Sequence, residues 1–291
     1  MQPASHKAPS VESELGEVRE LLEKRSGVVF YGAREPLFRE RVEQHLESRR
    51  LARVSELGRL LRGSASEYEA LRDRLLAFEG CFLRVPELFE ALSQRVLPEM
   101  HMKKFWDAPR SLRAWSAGCG AGEEPYSIAL SIAEALDGSS WNVHVLAGDV
   151  NQQALAHAER GVYERSALSA LSPGRLDAHF TRVGDLYMVK PALRRMVTFT
   201  NQNLAEISYS GRFDFIFCVD VVDYFRWERR EQLLHRFSQC LEPGGFLFLG
   251  ASEMPHATTL KLEPVRHGRA VVYQRPRVGA ARRPAAFVGM A

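Results

Sequence analysis

The chain lacks the features that mark a metal centre, a disulfide framework or a membrane anchor. Its 291 residues include four cysteines, Cys81, Cys119, Cys218 and Cys240. None is spaced as C-x-x-C and no histidine cluster has metal-ligand spacing, so no metal and no disulfide are expected. The four read as buried thiols of a reducing compartment. No stretch approaches the roughly 20 apolar residues that span a bilayer. The opening MQPASHKAPSVESELGE has no apolar signal core. A cytoplasmic protein without direct membrane insertion is therefore expected. A formal net charge of +3 is too small a bias to imply a nucleic-acid partner.

An apolar content of 45% is enough for a packed core in one large or two ordinary domains. Residues 1–13 are polar, contain Pro3 and Pro9, and read as a flexible tail. Residues 14–78 are helical. Val18, Leu21 and Leu22 recur at helical spacing. Pro36 suits a first turn ahead of Leu37, Val42 and Leu46, and Val54–Leu61 forms a short third segment. Ser66 with Glu69 reads as a capping box for a fourth helix.

From 79 to 277 strands alternate with helices. Strands are expected at Leu112–Trp115, Val143–Leu146, Val197–Phe199, Phe213–Cys218, Phe246–Leu249 and Val271–Tyr273. Helices are expected at Pro125–Leu136, ended by Asp137-Gly138, and at Gln152–Arg160, ended by Gly161. A third, Arg229–Leu241, is stopped by Pro243-Gly244-Gly245. This order predicts an α/β fold with a mostly parallel sheet whose ligand sits beyond the carboxyl ends of the strands. Residues 163–196 break the alternation and read as a small inserted subdomain, with Leu186–Val189 as an edge strand or hairpin. Residues 278–291 read as a second flexible tail.

The sharpest local signal is Trp115-Ser116-Ala117-Gly118-Cys119-Gly120-Ala121-Gly122-Glu123-Glu124-Pro125-Tyr126. A strand runs through alternating glycines into a helix, which lets the backbone approach a nucleotide closely. Asp149, at the end of the second strand, is placed to accept ribose hydroxyls. Glu123 and Glu124 select among nucleotides. At that helix end a dinucleotide fold presents its pyrophosphate, which two carboxylates would repel. S-adenosylmethionine has no phosphate and carries a sulfonium and an ammonium, so the carboxylates favour it over NAD. Glu123 has the simpler alternative of complementing the helix dipole.

The stretch Trp115–Ser127 closely resembles the motif of the CheR-like chemotaxis protein glutamate methyltransferases. Phe82-Leu83-Arg84, Asp149-Val150-Asn151, Arg160-Gly161-Val162-Tyr163 and Gln202-Asn203-Leu204 are similar to further family segments. So are Phe213–Cys218, Leu241-Glu242-Pro243-Gly244-Gly245 and Leu249-Gly250-Ala251-Ser252-Glu253. The resemblance implies an all-α N-terminal domain, a Rossmann-like S-adenosylmethionine-dependent domain and a small antiparallel β insertion. It implies methyl transfer to glutamates of a chemoreceptor cytoplasmic domain or related signalling protein, with S-adenosylhomocysteine as product. Carried onto this sequence, it assigns cofactor contacts to Gly80, Arg84, Gly118, Gly120, Glu124, Asp149, Asn203, Leu204, Asp220 and Val221. It assigns the methyl-transfer site to Arg84 and Tyr224.

Departures from the family pattern cluster at that site. Gly80 stands for a threonine, Leu83 for a phenylalanine and Val85 for a glutamate. Cys218-Val219-Asp220-Val221 replaces Cys-Arg-Asn-Val, which removes one cation and turns an amide into a carboxylate. Arg84 is then expected to be the main cation for an acceptor carboxylate. Three outcomes follow from the sequence: receptor-glutamate methylation, a cofactor-binding regulator or scaffold with little catalysis, or a methyltransferase of another substrate class. Eight arginines between Arg34 and Arg62 (Arg34, Arg39, Arg41, Arg49, Arg50, Arg53, Arg59 and Arg62) stand against five glutamates. With the resemblance, they suggest a surface that docks an acidic partner.

Overall fold

The computed structural model describes residues 10–77, 80–107, 110–136, 141–206, 211–254 and 260–277. The expected tails at 1–9 and 278–291, and the Asp137-Gly138 helix stop, lie outside the described residues. Helix α1 (Val11–Ser26) takes in the last three residues, 11–13, of the stretch assigned to the N-terminal tail. The Ser10 hydroxyl accepts from Ser13 N, and Gly27 ends the helix in the left-handed region. Helices α2 (Glu35–Arg49), α3 (Val54–Gly63) and α4 (Ala65–Leu76) follow. The cap of α4 is Ser64, which accepts from Glu67 N, rather than the expected Ser66–Glu69 pair.

Residues 86–103, given no element by the sequence reading, are helical: α5 (Pro86–Ala91), a π-helical turn (Leu92–Val96) and α6 (Leu97–Lys103). Pro98 brings no N–H and its ring crowds the preceding turn, which obscures a helical pattern. The wide turn, in which Leu97 N donates to Leu92 O, absorbs that misfit.

The remaining elements are β1 (Arg110–Ala117), α7 (Glu123–Ala135), β2 (Trp141–Asp149), α8 (Gln152–Arg160), β3 (Val162–Glu164), α9 (Pro173–His179), β4 (Phe180–Val183), β5 (Leu186–Val189), α10 (Pro191–Arg194), β6 (Val197–Asn201), β7 (Phe213–Cys218), α11 (Trp227–Cys240), β8 (Leu241–Leu249), β9 (Glu263–His267) and β10 (Ala270–Gln274). The main sheet has the order β6-β2-β1-β7-β8-β10-β9. Its first five strands are parallel, and β10 and β9 pair antiparallel. Strand order reverses between β1 and β7, the position at which such sheets open a ligand crevice. The insertion is a separate sheet, β3-β5-β4, in which β5 forms a hairpin with β4, the second of the two expected readings, and lies in the centre rather than at the edge. Pro243-Gly244-Gly245 does not stop α11, which ends at Cys240. It lies inside β8, beside a register shift between Phe213 and Phe215. A Cβ at Gly245 would sit 2.8 Å from Asp214 O, so only glycine permits this close approach.

The alternation of strand side chains divides the core in two. On one face Phe215, Phe217, Phe246 and Phe248 pack with α5–α7 and the insertion. Phe217 stacks on Phe248 at 4.0 Å and on Phe89 at 5.5 Å, pairs worth about 0.5–1.5 kcal/mol each beyond their area. On the other face Trp115, Ile216 and Leu247 share one continuous core with Leu15, Val18, Leu22, Leu57 and Leu71 of the N-terminal helices. That shared core fixes the helical domain against the sheet and brings its 26–34 segment to the crevice.

Candidate functional site

The crevice at the β1/β7 reversal is a cavity of about 370 Å³, within the size range of small-ligand pockets. The glycine loop forms its floor. Gly118 (φ 83°), Gly120 (φ 54°) and Gly122 (φ 99°) all lie in the left-handed region. A Cβ on Gly118 would meet Val221 Cγ2 at 2.6 Å, and one on Gly122 would meet the Tyr163 hydroxyl at 2.6 Å. The insertion thus grips the loop, because the Tyr163 hydroxyl donates to Ala121 O at 2.8 Å. At Gly120 an added Cβ would meet nothing within 4 Å. There the backbone borders open space, as close approach of a ligand requires.

Asp149 holds the loop in place. Its carboxylate accepts from Gly120 N at 2.9 Å and from Asn151 N at 2.8 Å. Burial pushes its pKa up and those amides pull it back. Helix α4 braces the same corner: Arg72 donates to Val150 O, and the Asn151 amide donates to Asp73 O. Glu124 accepts from the Ser116 hydroxyl at 2.7 Å. Burial pushes the Glu124 carboxyl up to about 7. Glu123 is buried, and its carboxylate occupies the space a side chain at position 80 would need, 2.7 Å from a Cβ built on Gly80.

Every site residue expected from the sequence lines this cavity: Gly80, Arg84, Gly118, Gly120, Glu124, Asp149, Asn203, Leu204, Asp220, Val221 and Tyr224. Two of them are occupied differently from the expectation. The Asn203 side chain accepts from Ala205 N and donates to Glu206, so it shapes its own turn. Arg84 is not an unmatched cation, because its Nη1 bonds Asp220 Oδ2 at 2.7 Å. The two halves of this pair are 32% and 45% exposed, so it is worth about 1 kcal/mol or less and can rearrange. Leu83 (φ 54°) and Asp220 (φ 60°) carry two of the three positive non-glycine φ angles among the described residues. Backbone of this kind, which costs roughly 1–2 kcal/mol per residue, thus occurs at Asp220 itself and immediately before Arg84.

Sequence reasoning gave no part to Glu253, or to Arg34 within the pocket. Glu253 is fully buried. Its carboxylate accepts from Gly250 N (2.8 Å), Asp220 N (2.9 Å) and Val222 N (2.6 Å), which ties together the strand ends of β7 and β8. Arg34 arrives from the N-terminal domain. Its guanidinium lies over the Tyr224 ring at 4.0 Å and donates to Asp223 O at 2.8 Å. The other arginines of the cluster do not form one uniform face. Arg39 pairs with Glu12 and Glu35, Arg49 with Glu67, and Arg41 donates to three carbonyls at the end of α4. Arg50, Arg53 and Arg59 are exposed.

This donor set fits S-adenosylmethionine better than a dinucleotide. Two carboxylates stand at the α7 N-terminus, and Asp149 lies at the end of β2 with the glycine backbone open beside it. Among the described residues no helix is long and apolar enough to cross a membrane.

Comparison with known proteins agrees. Residues 79–270 match the domain described as CheR methyltransferase, SAM binding domain, and residues 13–76 match the CheR methyltransferase, all-alpha domain. A chemotaxis protein methyltransferase of Vibrio parahaemolyticus is 35% identical over 87% of this chain and 93% of its own. A chemotaxis protein methyltransferase of Pseudomonas aeruginosa is 34% identical over 88% and 95%. One of Salmonella typhimurium is 32% identical over 80% and 81%.

Proposed function

Because this chain belongs to the CheR methyltransferase family, we propose that it methylates glutamate side chains of a chemoreceptor cytoplasmic domain, giving the methyl ester and S-adenosylhomocysteine. One observation carries this reading. Beyond the cofactor-type floor of glycines, Asp149 and Glu124, the same cavity is lined by two guanidiniums, Arg34 and Arg84, and by Tyr224. Guanidiniums are suited to hold a carboxylate.

When bound, S-adenosylmethionine supplies an electrophilic methyl group on a sulfonium. The protein's work is then positional. Asp149 would accept the ribose hydroxyls, Glu124 would face the ammonium, and Asn203, Leu204 and Val221 would line the adenosine end. A glutamate acceptor is ionised near neutral pH, so no general base is required. Fixing its carboxylate in line with the methyl group supplies the rate enhancement. The direct test is transfer of labelled methyl groups to purified receptor fragments, followed by mild base. Label released as methanol supports a carboxyl ester. Cofactor binding without any protein labelling would overturn the reading.

Cofactor binding should depend on pH through Glu124. The ionised form is the one that attracts an ammonium. With the carboxyl pushed up to about 7 in the free protein, binding below that pH must release a proton. Affinity is therefore expected to be highest between pH 7 and about 8, where the ligand's own α-ammonium begins to lose its proton, and to fall, towards tenfold per unit, as the pH drops below 7. Glu124→Gln should lower the maximum and abolish the slope on the acid side. Calorimetry between pH 5.5 and 8.5 measures both, and an unchanged slope in the variant would assign the titration elsewhere.

We also assign the docking of the acidic acceptor to the exposed part of the arginine cluster. Charge reversal at Arg50 and Arg59 is expected to raise the receptor KM by roughly three- to tenfold, an effect that shrinks with added salt. Cofactor affinity should not change. Equal KM values at low salt would remove this surface from docking.

A further inference from the structure

We propose that Arg34, supplied by the N-terminal helical domain, is the guanidinium that receives and orients the acceptor carboxylate. This inference rests on the reading of the acceptor as a glutamate. It adds to the docking surface of the helical domain the contribution of a positioning residue.

Charge balance in the cavity leads to this assignment. Arg84 meets Asp220 at 2.7 Å, so an arriving carboxylate finds a matched pair there and would have to compete with Asp220. Arg34 is different. Across the pocket, the Asp223 carboxylate pairs with Arg230 at 2.8 Å, and the Asp223 backbone carbonyl accepts from Arg34. Among the described residues no carboxylate lies within ion-pair distance of Arg34. A guanidinium has five N–H donors, and the bond to Asp223 O uses one of them.

The geometry is also pre-organised. Contact with the Tyr224 ring at 4.0 Å restrains the guanidinium, and a planar fork presents two parallel donors to a carboxylate. The support beneath it is rigid. Val29 N donates to Tyr224 O at 2.7 Å, and Val28 pairs with Phe225 as an isolated antiparallel bridge. Arg34 and Tyr224 are thus held as one unit at the cavity wall, although they are 190 positions apart. Where the sequence loses a cation at Val219, the fold brings in another from a different domain.

The test uses the full-length chain, labelled S-adenosylmethionine and cytoplasmic fragments of the chemoreceptors encoded by the same organism. Arg34→Gln is expected to lower kcat/KM for the receptor by roughly ten- to hundredfold, as expected for a lost charged hydrogen bond. Cofactor affinity should stay within about twofold and the thermal midpoint should stay close to wild type, because the lost contact is to the acceptor. Arg34→Lys, which keeps the charge but not the fork, should recover only part of the loss. A merely structural Arg34 predicts the reverse pattern: cofactor affinity and thermal midpoint fall together, and lysine does not rescue. That pattern, or unchanged kcat/KM in Arg34→Gln, overturns the proposal while leaving glutamate methylation intact. If the wild-type chain forms no base-labile ester on any fragment, the acceptor reading fails and this inference falls with it.

Discussion

Asp149→Ala is expected to weaken S-adenosylmethionine binding by roughly a hundred- to a thousandfold, with little of the loss recovered at higher pH. Two contributions add. In the proposed function the carboxylate accepts the ribose hydroxyls, and a hydrogen bond to a charged group is worth about 1.5–3 kcal/mol. It also anchors the glycine loop through Gly120 N and Asn151 N. Freeing those two amides lets the loop sample other conformations, each of which must be reversed on binding at a cost of about 1 kcal/mol more. Asp149→Asn separates the two. It preserves shape and one acceptor but turns an amide group toward a backbone N–H, so an intermediate loss is expected. Titration calorimetry of the three proteins reads this directly. An unchanged dissociation constant for Asp149→Ala would place the ribose elsewhere.

Glu253→Ala should be the most destabilising single change at this site. It would strand three backbone N–H groups, of Gly250, Asp220 and Val222, around a side chain that is fully buried. An unsatisfied buried donor costs about 1–3 kcal/mol, and partial hydration of the vacated space offsets some of it. A net loss of about 3–5 kcal/mol is expected, or roughly 6–15 °C in thermal midpoint for a chain of this size. Glu253→Gln keeps one acceptor oxygen and should fall between. Turnover should drop further than stability alone implies. The 220–222 segment carries Asp220, the partner of Arg84, and leads directly into Tyr224. A thermal midpoint within 2 °C of wild type would show that the three amides find other partners, and the segment's order would need another cause.

The sequence by itself determined whatever is encoded over a few residues. Gly161 ends α8 because a left-handed residue closes a helix, and it does so at φ 63°. The glycine loop was legible because each positive φ demands glycine locally. Asp149 was legible because it ends a strand a fixed distance further on. Phe213–Cys218 was bounded correctly because a short apolar run between polar residues has few alternatives. The membership of the cavity followed from motif resemblance, residue by residue.

Only the tertiary structure decided how those residues spend their charges. Arg84 meets Asp220 across 136 positions, Arg34 meets Asp223 across 189, and Glu253 reaches back to Asp220 across 33. No periodicity spans such separations. The strand order that brings β1, β7 and β8 side by side, and the core shared between the N-terminal helices and the sheet, create these contacts. The same holds for the eight arginines. Local composition made them look like one basic surface, but whether each faces solvent, a glutamate or a carbonyl depends on which helix packs beside it. A chain encodes conformation locally because sterics and hydrogen bonding act within a few residues. It encodes electrostatic pairing globally, because opposite charges meet only after packing has brought distant segments together.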